Sequence, residues 1–316
     1  MEAALQERAR GCAVGAAVGD ALGMPLEFDP PRPESYMVRE MGVGRLPPGT
    51  FTDDTEMALA LAESLLWACP VEPEDLARRF VVWYRGEPYD IGLHTRSVLA
   101  RVATGTPWDL AVEAQQADNP DSAGNGSVMR AWPVALVHWD DLNELLSDSR
   151  LQSRVTHPHP ECEAGCAFSN AAIYFLMQGA EKPEAVAEAV RASNMPEALQ
   201  AAIEAAPLRS RSQLANSGWV RHTLESAVWG LMTTDSFEEA VIQVINLGRD
   251  ADTAGAVVGA LAGAAYGLAE IPDRWQQALR GQWPVKDGST WRTTDLIRLA
   301  DRLLGIQCTD EASAAG

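Results

Sequence analysis

Two short stretches of this 316-residue chain carry more acid than a helix start requires. Thr52-Asp53-Asp54-Thr55 opens one amphipathic segment and Asp250-Ala251-Asp252-Thr253 opens another far downstream. Thr and Asp are favoured caps, so one residue of each group is expected to cap its helix. Adjacent carboxylates flanked by hydroxyls exceed that need, because like charges so close are costly unless a cation offsets them. Oxygen-only donors suit Mg2+ or Mn2+. If the two helix starts converge, four carboxylates and the threonine hydroxyls beside them enclose a volume that two divalent cations would neutralise. A third element, GNGSVMR from Gly124 to Arg130, sets two glycines around Asn125 ahead of an apolar stretch. Such a loop lets backbone N–H groups approach a phosphate, and it is also an ordinary turn.

The chain that holds these residues reads as all-α. Apolar residues recur every three or four positions, as at Met57, Leu61 and Leu65, or Ala164, Phe168, Ala171 and Phe175, while strand-like alternation is almost absent. The pattern predicts helices over 52–68, 73–85, 108–117, 161–178, 183–192, 196–206, 219–232, 236–247 and 292–304. Segments 30–50 and 118–126 are rich in Pro and Gly and read as long irregular loops, with 28–50, 86–96 and 118–123 expected to set specificity. Gly11, Gly15, Gly19 and Gly23 repeat every fourth residue, as do Gly255, Gly259, Gly263 and Gly267. Each Gly costs about 0.8–1.0 kcal/mol of helix propensity relative to Ala, so two such stripes imply two helices in close backbone contact. No linker divides the chain, which predicts one domain over 1–304 and a disordered tail over 305–316.

Composition narrows the function classes. The formal charge is −19, from 44 acidic and 25 basic side chains, and 47% of residues are hydrophobic. That excludes a disordered chain and argues against unspecific nucleic-acid binding. The five cysteines lack disulfide-framework spacing, so reduced thiols are expected; Cys162 and Cys166 stand one helical turn apart, but no second Cys/His pair completes a zinc site. Arg8 and Arg10 precede an Ala/Gly/Val run that lacks Leu and breaks at Asp20, unlike a signal peptide, and the apolar run 254–269 is too short for a membrane span. A cytoplasmic protein is expected.

Taken together, GDALG (19–23) with Glu27, TDDTEM (52–57), DIGLHT (90–95), GNGSVMR (124–130), THPHP (156–160), SGWV (217–220) and GRDADTAG (248–255) resemble, in order, the motifs of the ADP-ribosylglycohydrolase family. That family includes the dinitrogenase reductase-activating glycohydrolase. The resemblance spans about residues 10–270. It implies a single orthogonal helical domain, a binuclear Mg2+ or Mn2+ centre, and hydrolysis of the bond between the distal ribose C1″ of ADP-ribose and an acceptor, arginine-linked protein first. By motif position it implies that Thr52, Asp53, Asp54, Asp250, Asp252 and Thr253 ligate the metals. Glu27 takes the place of a catalytic or metal-proximal glutamate, although alone it reads as a surface residue in a Pro-flanked loop. Asn125, Gly126, Ser127 and Met129 occupy the loop that the resemblance implies embraces the diphosphate and distal ribose, and it places His157 near them with His159 as local competitor. Trp219 stands where relatives often carry a Tyr, which implies stacking on adenine, although alone it reads as a buried core Trp. Some relatives carry an Asp where this chain has Ser122, which makes Asp121 the expected second acid. Whichever of Arg96, Arg130 or Arg221 faces the cleft is expected to offset the diphosphate charge. A binuclear-metal nucleotide phosphoesterase and a non-catalytic ADP-ribose-binding or structural protein are the alternatives.

Overall fold

The glycine stripes decide the centre of the molecule. The structure, a computed structural model, describes residues 3–305. Helix α1 (Ala3–Gly23) and helix α13 (Ala251–Tyr266) run antiparallel with Gly19 against Gly255, Gly15 against Gly259 and Gly11 against Gly263. A Cβ placed on Gly19 would stand 1.9 Å from the Gly255 carbonyl oxygen, so only hydrogen fits between the two backbones. Every residue of α13 from Ala251 to Ala264 is buried, as is α1 from Gly11 onward. Helices buried on all sides belong in a core, and this pair is the axis on which the others pack. Asp20 on α1 and Asp252 on α13 thereby come to the same end of the pair.

Between α1 and α13 the chain forms α2 (Asp53–Trp67), α3 (Pro73–Arg85), α4 (Leu93–Ala103), α5 (Trp108–Asp118), α6 (Trp132–Val137), α7 (Leu142–Arg154), α8 (Pro160–Met177), α9 (Lys182–Ser193), α10 (Glu197–Ala205), α11 (Val220–Thr233) and α12 (Phe237–Ile245). After α13 follow α14 (Asp273–Ala278) and α15 (Thr293–Leu304). Helices α8, α11 and α12 pack on α13, and α15 packs on α1. Local chemistry sets many boundaries. Pro73 and Pro160 open α3 and α8, where a missing N–H is no loss, and the Asp141 carboxylate caps α7 by accepting from the Asn143 and Glu144 N–H groups.

The nine predicted helices are present, and the all-α, single-domain reading holds. The described strands are one short antiparallel hairpin, β1 (Gly281–Trp283) with β2 (Ser289–Trp291). The pattern misses α4, α6, α7 and α14. α7 escapes because it buries polar side chains, Asp148, Ser149, Gln152 and Ser153, whereas periodicity reveals an apolar stripe. α4 escapes because it overlaps a stretch expected to be irregular, opens on Gly92 without a side-chain cap, and buries only Thr95, Val98 and Leu99. Cys12, Cys162 and Cys166 are buried free thiols. Among the described residues no helix is long and apolar enough to cross a membrane. Of the expected tail, Gly305 closes α15 and residues 306–316 lie outside the described residues.

The irregular segments are stitched to the core at defined points. Phe28 donates its N–H to the Arg249 carbonyl (2.6 Å) and Arg249 returns one to Asp29 (2.7 Å). Asn246 grips Val38 from both sides, accepting its N–H at 2.7 Å and donating to its carbonyl at 2.8 Å. Asn125 and Val220 donate N–H groups to Gly218 and Ala123, which ties the glycine loop to the start of α11. The segment before α2 is tied to the chain just ahead of the hairpin, through Phe51 N–H to the Arg280 carbonyl at 3.1 Å. These loops and two helix starts are thus fixed around one opening.

Candidate active site

At the start of α2, capping departs from expectation in a way that matters for the site. Thr52 holds the N-cap position, yet its side chain does not cap. Instead Asp20, wholly buried on α1, accepts from the Thr52 N–H (2.9 and 3.0 Å), the Thr52 hydroxyl (2.8 Å), the Thr55 N–H (3.2 Å) and the Thr55 hydroxyl (2.5 Å). One carboxylate from another helix satisfies orphan donors of α2. Asp53 and Asp54 are therefore released from capping. Burial pushes Asp20 up to about 6 in spite of those donors.

The start of α13 repeats the arrangement. Asp250 is the N-cap and makes no capping bond. Its Oδ2 accepts the Asn125 amide at 2.7 Å, and Asn125 also donates to the Thr223 hydroxyl at 2.9 Å. Burial and the neighbouring Asp252 push Asp250 up to about 7; burial and Asp20 do the same to Asp252. Asp53 and Asp54 are raised well above the carboxylate range, first by burial, then by the charges of Asp90 and Asp252 on Asp53 and of Asp20 and Asp252 on Asp54. Each acidic group therefore feels the other. One oxygen each of Glu27, Asp250 and Asp252 lie within 4.8 Å of one another.

These acids sit at a cleft of about 750 Å³, within the usual range for small-molecule sites. Glu27, Asp53, Asp90, Asp250, Asp252 and Thr253 line it; Thr52 and Asp54 lie buried behind them. Asp54 Oδ1 is buried without a hydrogen-bond partner. Glu27 Oε2 and Asp90 Oδ2 are buried too and accept no aligned hydrogen bond, although the Arg45 guanidinium lies against both as an ion pair. Two arginines, Arg45 and the cleft-lining Arg249, among so many acids leave the site short of positive charge, as the raised proton affinities show. That donor set fits hard divalent cations.

The opposite wall is made by the glycine loop and two histidines. His157 is buried and stacks on His94 with ring centroids 4.4 Å apart. Burial lowers the proton affinity of both rings, so both are neutral. His94 Nε2 faces the Thr156 carbonyl at 2.8 Å and must carry the proton, leaving Nδ1 to accept from Ser122 at 3.0 Å. Thr156 receives the Arg130 guanidinium at 2.8 Å and turns its own hydrogen to His157 Nδ1, also at 2.8 Å. By that network His157 keeps its proton on Nε2, the edge beside Gly124 and Gly126. A Cβ on Gly126 would press to 2.9 Å from the His157 ring, which is the local reason for glycine there.

Several sequence expectations are corrected by placement. Asp121 is exposed and does not line the cleft. The neighbouring Ser122 instead orients His94, and the further acid at the cleft is Asp90, from the DIGLHT motif. Ser127 is wholly buried, with its hydroxyl bonded to Ser153 (2.8 Å) and Cys166 (3.4 Å), so it braces the loop from behind. Gly126 and Met129 do line the cleft, as do Asn125 and His157. His159 is the N-cap of α8. Trp219 follows the cleft residues Ser217 and Gly218; its indole N–H donates to Glu161 at 3.0 Å, and the Arg221 guanidinium lies 4.6 Å over its ring. Arg130 is wholly buried, donating to Gly126, Gln152 and Thr156 over the Phe80 ring. Arg96 is exposed away from the lining, and the arginine that lines the cleft is Arg249. Asp20 and Asp90 are legible only as members of GDALG and DIGLHT, since neither stands in an acidic run.

Known proteins resemble this chain over most of its length. It is 36% identical over 283 residues to ADP-ribosylarginine hydrolase Tri1 of Serratia proteamaculans, covering 86% of this chain and 75% of that one. It is 32% identical over 288 residues to the ADP-ribosyl-[dinitrogen reductase] glycohydrolase of Rhodospirillum rubrum, covering 87% and 91%. A solved structure of an ADP-ribosylglycohydrolase-related protein complex superposes with a TM-score of 0.79 at 36% identity, covering 95% of this chain and 98% of that chain. With the ADP-ribosylglycohydrolase family model matching residues 1–312 as well, the chain belongs to the ADP-ribosylglycohydrolase family.

Proposed function

We propose that this protein is a divalent-cation-dependent hydrolase that removes ADP-ribose from arginine-linked acceptors by cleaving the glycosidic bond at the distal ribose C1″. The observation that carries the reading is the convergence of Asp53 and Asp54 with Asp250 and Asp252 beside Glu27, with Asp54 Oδ1 buried and without a hydrogen-bond partner. Relatives named for ADP-ribosylarginine suggest the acceptor.

Thr52, Asp53, Asp54, Asp250, Asp252 and Thr253 would hold two cations, Mg2+ or Mn2+. Bound there, the cations offset the acid charge and supply Lewis acidity toward the ribose hydroxyls and water. Asn125 keeps Asp250 oriented, and Asp20 keeps Thr52 and the α2 start in place. The His157 Nε2–H, the Gly126 backbone and Arg249 offer the anionic diphosphate donors and charge. Glu27 accepts a proton from the attacking water as the C1″–N bond breaks through an oxocarbenium-like state. The electron pair stays on nitrogen, the water oxygen bonds C1″, and the proton passes from Glu27 to the departing guanidine.

The test is ADP-ribose release from arginine-linked, serine-linked and polymeric substrates, with Mg2+, with Mn2+, and after EDTA and gel filtration. Arginine-linked substrate is expected to turn over fastest, and EDTA to abolish release. Asp53→Ala and Asp252→Ala are each expected to lose about 10³-fold or more in turnover together with metal binding. Full turnover of either variant, or of the stripped protein, would falsify the assignment. Phosphate or AMP as product would point to a phosphoesterase instead.

A further inference from the structure

The cation that already sits among the acids of the cleft belongs to the chain itself. Arg45, from the irregular segment before α2, places its Nη2 on Glu27 and 3.7 Å from Asp252, and its Nη1 2.6 Å from Asp90. Two aromatic rings lie against the guanidinium, Phe28 at 5.2 Å and Tyr89 at 5.9 Å. Both rings are largely exposed, 74% and 58%, so neither is held by core packing. Phe28 also has a left-handed backbone (φ 67°), fixed by its bond to the Arg249 carbonyl. Exposed aromatic rings against a planar cation, with carboxylates at its edge, form a pattern that suits guanidinium better than ammonium.

We propose that Phe28, Tyr89 and Asp90 form the subsite for the acceptor guanidinium, and that Arg45 is an internal stand-in that occupies this subsite until cations and substrate displace it. The inference rests on the arginine-linked reading and deepens it. Arg45 Nη2, against Glu27 and Asp252, marks where the nitrogen joined to C1″ lies. Nη1 against Asp90 marks an unsubstituted nitrogen. The scissile bond is thereby placed beside Glu27, the group that needs to reach it. Glu27 and Asp252 cannot serve water or cations while Arg45 holds them, so the loaded enzyme requires Arg45 to withdraw. Open space lies at Gly42, where a Cβ would meet nothing within 4 Å, whereas Gly44 packs against Met24 and Pro25 and anchors the chain there, so withdrawal falls to the half-buried Arg45 side chain itself.

The test uses the full-length protein and two probes that need no turnover: Mn2+ binding by electron paramagnetic resonance and methylguanidinium binding by calorimetry. Removing the internal cation by Arg45→Ala, or by Arg45→Met to keep the stem, is expected to tighten both about tenfold. The double variant Phe28→Ala/Tyr89→Ala is expected to weaken methylguanidinium about tenfold and to lower the ratio of kcat/KM for arginine-linked over serine-linked ADP-ribose by a similar factor. Unchanged affinities in both Arg45 variants, or an unchanged substrate ratio in the double variant, overturns the subsite. Tightened methylguanidinium binding in a protein that never releases arginine-linked ADP-ribose supports the subsite and overturns the proposed function. Arginine-linked turnover with unmoved affinities overturns the subsite alone.

Discussion

Asp20 shows how much of the site depends on a residue that does not line the cleft. Donors from Thr52 and Thr55 converge on its buried carboxylate. Those bonds fix the angle at which Asp53 and Asp54 leave the helix start. Asp20→Asn keeps the shape but turns an NH2 group toward donors, leaving buried hydrogens unsatisfied. Partners that orient metal ligands are worth about 10–100-fold in metal affinity. Asp20→Asn is accordingly expected to weaken Mn2+ binding by about that factor and to lower the melting temperature. Calorimetric titration beside a melting curve checks both, and a variant that binds Mn2+ like the parent shows that Asp20 does not set the site.

Between helices, the α1–α13 contact couples stability to the site. Gly19 and Gly255 face each other close to the end where Asp20 and Asp252 meet, with no room for a methyl group. Gly19→Ala must push the helices apart, and overpacking of this kind costs about 1–3 kcal/mol or more. The same displacement separates Asp20 from Asp252, so Mn2+ affinity should fall along with the melting temperature. Gly305→Ala, after α15, is the control, since its new methyl group would meet neighbours at an ordinary 3.5 Å. A Gly19→Ala protein that melts with the Gly305→Ala protein and binds Mn2+ equally well would show that the glycine contact tolerates a side chain.

Across the molecule, the acids make stability and cation binding depend on pH together. Asp20 titrates near 6 and Asp250 and Asp252 near 7 in the folded, cation-free chain. Carboxyls with raised values hold protons that the unfolded chain gives up above about pH 4, so their contribution to stability falls as pH rises from about 4 through 7. Buried neutral His94 and His157 act oppositely, since the unfolded chain gains protons on them as pH falls below about 6.5. Subtraction removes the histidine contribution: the rise in melting temperature on adding saturating Mn2+ should grow from about pH 5.5 to about pH 8, because cations compete with protons for the acids but not for the rings. Melting curves across that range check it. A cation effect that stays flat or shrinks toward alkaline pH contradicts a carboxylate-held site.

Patterns within single segments suffice for the helical class, nine of the helices, the close pairing of the glycine-striped helices, and the acids at two helix starts. Those features are local: period, cap chemistry and glycine spacing are written within a few residues of each other. Motif position brings Ser127 and Asp121 toward the cleft, and only packing turns Ser127 inward and Asp121 outward. Helix α7 hides from periodicity because its buried face is polar and serves Arg130 and Ser127, partners distant in sequence. Asp20 as the external cap of α2, the stacked neutral histidines, and Arg45 lying across Glu27, Asp90 and Asp252 arise between segments far apart in the chain. Their charges and hydrogen bonds exist only once α1 and α13 close against each other and bring the loops to one opening, which no periodicity within a single segment encodes.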